Sequence, residues 1–117
     1  MFKKNTDYTA ILRSGVQGGE GEVQIEQLWL PEAELKSNIK FMARVTIPNG
    51  ASIGFHQHDN EEEIYYIVSG SGVAQDNDEQ FVVSSGDSIL TRDGEKHSVS
   101  CTSDKPLVMI ATIVTYK

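Results

Sequence analysis

The 117-residue sequence is short of cysteine, of positive charge and of long apolar runs, and each shortage excludes something. Cys101 stands alone, so no internal disulfide can staple the fold. Ten Lys and Arg face seventeen Asp and Glu, a net charge of −7. That balance argues against nucleic acid and anionic membrane as partners, since both reward clustered cations. Arginine is reduced to Arg13, Arg44 and Arg92. No stretch approaches the ~20 apolar residues that span a bilayer. Lys3 and Lys4 have no apolar run behind them, so the first residues do not read as a secretory signal, and the expected compartment is the cytoplasm.

What is present fits one soluble β domain. Hydrophobic residues make up 38% and charged residues 23%, with ten glycines among runs of Val, Ile and Thr. A chain of this length has room for one hydrophobic core. Around Tyr8, Ile11 and Leu12 lies a short amphipathic piece, followed by a glycine-rich loop at 18–22. A strand is predicted from Val23 to Leu30, then one helical turn at 31–35, where Pro31 precedes good helix formers. Ile39, Phe41, Ala43, Val45 and Ile47 alternate with polar or bulkier neighbours, the period of two of a half-buried strand. Further strands are predicted at 64–68, 72–75, 80–83 and 107–115, separated by turns at Pro48-Asn49-Gly50, 76–78, Ser85-Gly86-Asp87, 92–95 and 102–106. Strands spaced ~8–12 residues apart with turn chemistry between them mark a sandwich or closed barrel.

All three histidines fall into one pattern. His56 and His58, two apart, leave the same face of a strand ~7 Å from each other. Glu63 opens the next apolar strand, and His97 follows a Gly-containing turn before another. Three imidazoles and a carboxylate suit a divalent transition metal better than Ca or Mg. Around an octahedral ion four such ligands leave two positions open for water or substrate. Glu61 and Glu62 read as solvated neighbours of Glu63, although only alternate members of an acidic run on a strand can face one side.

The stretch from Gly50 to Gly70 resembles the first motif of the cupins: Gly, five residues, His56-x-His58, four residues, Glu63, six residues, Gly. The stretch from Gly86 to Cys101 resembles the second motif, with Arg92 where the family has Pro and Cys101 where it has Asn. The resemblance, to single-domain cupins of the RmlC-like jelly-roll superfamily, implies an all-β double-stranded β-helix. It implies a barrel over 39–117 and an irregular segment over 1–38 that packs on the barrel or on a partner subunit. It also implies a metal held by His56, His58, Glu63 and His97, with Mn or Fe foremost and Zn, Ni or Co as the other options. Small oxalate-decarboxylase-like cupins and the metal-binding half of sugar-phosphate isomerases are the nearest kin by motif, which points to a small-molecule ligand.

Further pocket residues are Tyr65 and Ile67, which share the phase of Glu63, Arg44 as a carboxylate clamp, and Cys101. Arg44 lies opposite in phase to the apolar set of its strand, which favours simple exposure over the clamp. Cys101 is four positions past His97, ~13 Å along a strand and too far to share its metal, so it reads as a small buried residue. Trp29, Phe41 and Met42 suit core or subunit contact, and a surplus of apolar surface in both strand phases suits a homodimer. Function stays divided between a metal-dependent enzyme (a decarboxylase, dioxygenase or isomerase) and a binding or sensing module. A barrel whose metal serves only stability is a third option.

Overall fold

The computed structural model describes residues 1–116; Lys117, the last residue of the expected barrel, lies outside the described residues. Ten strands follow in chain order: β1 (Ala10–Ser14), β2 (Glu22–Gln27), β3 (Ile39–Ile47), β4 (Ser52–Gln57), β5 (Glu61–Ser69), β6 (Ser71–Asp76), β7 (Glu79–Ser84), β8 (Ser88–Thr91), β9 (Lys96–Cys101) and β10 (Leu107–Thr115). They form a six-stranded sheet in the order β1-β2-β3-β10-β5-β8 and a four-stranded sheet in the order β4-β9-β6-β7. Every paired neighbour is antiparallel. Two antiparallel sheets whose inner faces enclose one core make the jelly roll expected from the motifs.

Alternation decides which face of each strand is buried. On β3, Ala43, Val45 and Ile47 are buried while Lys40 is exposed. On β5, Glu61, Glu63, Tyr65 and Ile67 point in, and Ile64, Tyr66 and Val68 point out. Ile47, Ile67, Leu107 and Met109 are fully buried at the closed end of the core. Each such side chain contributes about 1.5–3 kcal/mol of transfer free energy.

The N-terminal segment is more regular than expected. It supplies β1 and β2, and β2 pairs with β3, so the segment extends the barrel's larger sheet. β2 stops at Gln27 rather than Leu30. Residues 31–34 form a hydrogen-bonded turn rather than a helix, with Glu34 N–H donating to the Leu30 carbonyl at 2.8 Å. The loop of residues 15–21 lies tight across β4: a Cβ on Gly54 would stand 2.1 Å from the Gln17 carbonyl oxygen, and one on Gly19 2.2 Å from that of Ser52. Glycine at both positions is what permits this approach.

One irregularity positions the site. β4 pairs Ile53 with Val99 and then His56 with His97, so β4 carries one residue more than β9 between these pairs. The extra residue is a β-bulge and reverses the in–out phase. Ile53 is buried before it, Phe55 is turned to solvent, and His56 and then His58 face the interior. Unbroken alternation from Ile53 would have turned both histidines outward.

Candidate metal centre

His56, His58, Glu63 and His97 come together at one end of the barrel, each offering a donor atom within 4.8 Å of the others. Their chain positions are far apart and four different structural units deliver them. β4 carries His56, the residues just after it carry His58, β5 carries Glu63 and β9 carries His97. His58 Nε2 stands 3.0 Å and His56 Nε2 3.1 Å from His97 Nε2. Glu63 Oε1 stands 3.0 Å from His58 Nε2 and 3.1 Å from His97 Nε2. Two donors at right angles around a metal with bonds of ~2.1 Å are about 3.0 Å apart. The observed spacings are those of adjacent ligands.

The outer nitrogens support the same fit. His56 Nδ1–H donates to the Gly54 carbonyl at 2.7 Å, and His58 Nδ1–H to Glu61 Oε2 at 2.5 Å. Thr91 Oγ1 lies 2.7 Å from His97 Nδ1 and can accept its proton. A proton on Nδ1 of each ring satisfies these three bonds, and in that tautomer all three Nε2 lone pairs face a common point. Lone pairs crowded in this way repel unless a cation or a shared proton lies among them. The cluster could therefore hold a metal ion.

The imidazoles and the carboxylate shift one another's proton affinities. Burial pushes the Glu63 carboxyl up, but hydrogen bonds from His58 and His97 outweigh it and the net shift is downward. His58 is raised, chiefly by its bond to Glu63 and with help from Glu61, against burial. His56 is lowered, first by burial and then by the neighbouring imidazoles, despite its bond to Gly54.

Beside the donors opens a cavity of about 240 Å³, below the ~300–1,000 Å³ of sites for drug-sized ligands. Tyr65 lines it, buried, with its ring stacked on His97 at 4.6 Å between centroids and its hydroxyl 3.4 Å from His97 Nε2. Burial and then Glu63 hold that hydroxyl well above its ordinary value, so it stays protonated. Lys40 also lines the cavity, its Nζ 2.8 Å from Glu61 Oε1.

Three expected pocket residues lie elsewhere. Arg44 takes the outward phase of β3 and makes two bonds of 2.9 Å to Glu26, under the ring of Tyr8. Ile67 has the inward phase but sits deeper than the cavity, in the fully buried core. Cys101 is buried further along β9, with its thiol against the Ser103 and Lys105 carbonyls. Conversely, Glu61 is buried at 9% exposure and holds His58, where a solvated acid was expected. The period of two already put it in phase with Glu63. Thr91 carried no signal beyond strand propensity, yet it is fully buried against His97.

The two-sheet barrel and its His/Glu cluster define a class of protein, the small jelly rolls with a cluster that could hold a metal ion. A family model described as "Cupin domain" matches residues 43–113, and the chain belongs to that family. A curated "Oxalate-binding protein" of Thermotoga maritima is 36% identical over 114 residues, covering 97% of this chain and 93% of that one. A crystal structure described as a "predicted oxalate decarboxylase" from Thermotoga maritima superposes with a TM-score of 0.93 at 36% identity, covering 98% and 99% of the two chains. KdgF from Halomonas sp. matches with a TM-score of 0.75 at 18% identity, covering 97% and 94%, and shares the fold.

Proposed function

We propose that this chain is a metal-dependent enzyme that takes a small carboxylated molecule into the cavity beside His56, His58, Glu63 and His97. The observation that carries the reading is the set of four donors within 4.8 Å of one another, with spacings of 3.0–3.1 Å around His97 and His58 and the outer imidazole nitrogens already engaged. Mn or Fe(II) is the metal proposed, because imidazole and carboxylate donors accept either. Such an ion, when bound with two open positions, supplies Lewis-acid or O2 chemistry suited to decarboxylation or dioxygenation. The chain's own part is to orient the ligand. Tyr65, held protonated, donates a hydrogen bond to a ligand oxygen, and the apolar lining excludes water. The names of the Thermotoga maritima relatives, oxalate-binding and oxalate decarboxylase, support the carboxylate class.

A second reading, metal-dependent binding without turnover, rests on a specific observation. Apart from the four donors, the titratable groups lining the cavity among the described residues are Tyr65 and Lys40, and Lys40 is tied to Glu61. General acid–base work needs a free, positioned group. Elemental analysis of protein purified without a metal-affinity tag, followed by turnover assays with small carboxylates, tests both. A redox-active metal with carbon dioxide release or O2 uptake supports the enzyme. Metal-dependent binding with no product supports the module.

The same reading takes the protein to be a homodimer. Ile64, Tyr66, Val68 and Leu90 stand on the outer face of the larger sheet at 41–49% exposure, and a second copy would cover them. A monomer by light scattering at micromolar concentration would overturn this.

A further inference from the structure

The cavity is chemically two-sided. Its metal-ligating part is polar, but Val16, Ile25, Phe41, Val45 and Ile113 make much of the remaining lining. Ile113 pairs across β10 with Phe41 on one side and Glu63 on the other, so apolar side chains begin immediately beside the carboxylate. Among the described residues Lys40 is the one cationic side chain that lines the cavity. Arg44 is bonded to Glu26 outside the barrel, Arg13 and Arg92 are exposed, and Lys40 is already paired with Glu61.

Charge counting then limits the ligand. A divalent ion, the Glu63 carboxylate and three neutral imidazoles sum to a single positive charge. A monoanion brings the cavity to neutrality, whereas a dianion such as oxalate leaves an unpaired negative charge against apolar walls, which is costly. Oxalate also has no apolar part to meet Phe41 and Ile113.

We propose that the ligand is a monoanionic chelator, a carboxylate with an adjacent carbonyl or hydroxyl oxygen, bearing a compact apolar group that packs on Phe41, Val45 and Ile113. The inference rests on the carboxylate reading above and sharpens it: the apolar lining selects for the tail, and oxalate is not the preferred ligand. Gln17, on the loop held across β4 by Gly19 and Gly54, lines the same cavity and supplies a neutral polar contact rather than a charge.

Calorimetric titration of Mn-loaded protein with oxalate, glyoxylate, pyruvate, 2-oxobutyrate and 2-oxopentanoate tests this. Affinity is expected to rise about fourfold per added carbon until the cavity is full, the factor that corresponds to ~0.8 kcal/mol for a buried CH2. Oxalate is expected to bind at least about tenfold more weakly than the best 2-oxo acid, which is ~1.4 kcal/mol. In Phe41→Ala the gain per carbon should shrink while metal content holds; the wild-type series stands by itself if that variant does not fold. Oxalate as the tightest ligand, with no dependence on tail length, would overturn the inference and leave metal-dependent carboxylate binding intact. Failure of every carboxylate to bind the metal-loaded protein would overturn the proposed function and the inference together.

Discussion

The two ends of the barrel interior are built from the same strands in the same phase, yet they do opposite things. Along β5 the inward residues run Glu61, Glu63, Tyr65, Ile67, from a polar end to a fully apolar one. On β9, His97 begins the run and Val99 and Cys101 finish it. The closed end, with Ile47, Ile67, Leu107 and Met109, stabilises the fold by keeping apolar surface from water. The open end gathers two buried carboxylates and three imidazoles, groups that cost free energy to bury and are tolerated because each has a partner. Phase sets which side chains are inside, and position along the barrel axis sets what they are for.

Substitutions at the two ends should therefore separate stability from metal binding. Leu107→Ala, at the closed end, is expected to lower unfolding free energy by about 2–5 kcal/mol in a denaturant titration, with metal stoichiometry unchanged. At the open end, saturating metal should raise stability by about 4 kcal/mol when free ion exceeds its dissociation constant a thousandfold. Chelation should reverse that rise in thermal melts of the wild type and have no effect on Glu63→Gln. A chelation effect of equal size in Glu63→Gln would remove the distinction between the ends.

A smaller effect is expected where the side chain acts through a ligand. Thr91→Val and Glu61→Gln leave the four donors in place but loosen His97 and His58, so metal affinity should fall about 10–100-fold in competition with a chromophoric chelator. The smallest effect belongs outside the barrel. The Arg44 guanidinium, against burial, holds the Glu26 carboxyl below its ordinary value. Its stabilising contribution is full above the unfolded value of 4.5 and is lost as pH falls through the lower folded one. Glu26→Gln should flatten that acid limb by less than about 1 kcal/mol, because the pair is partly exposed, and leave metal binding untouched.

Much of the fold and of the site is legible in the sequence. The sequence predicts Ile39–Ile47 and 107–115 with the bounds they have, because strict alternation or a long β-branched run identifies a strand whichever partner it finds. The three histidines are legible because the chain has no others, and Glu63 is singled out from ten glutamates by the cupin motif spacing. β1 is not legible, since its Ile11 and Leu12 are adjacent and exposed, and edge pairing rather than burial makes it a strand. The bulge at Gly54–Phe55 was hidden because register depends on the facing strand, β9. Ile67 and Cys101 had the right phase for the interior but the wrong depth, and depth follows from strand tilt and pairing, which local periodicity does not encode.

The central claim is that His56, His58, Glu63 and His97 hold one divalent transition ion together. Its most direct test is metal stoichiometry by elemental analysis of untagged wild type beside Glu63→Gln and His97→Ala, with circular dichroism to establish that each is folded. About one ion per chain in the wild type and a small residual fraction in both folded variants is the predicted result. Equal metal content in all three proteins, or none in wild type exposed to Mn and Fe(II), would contradict it.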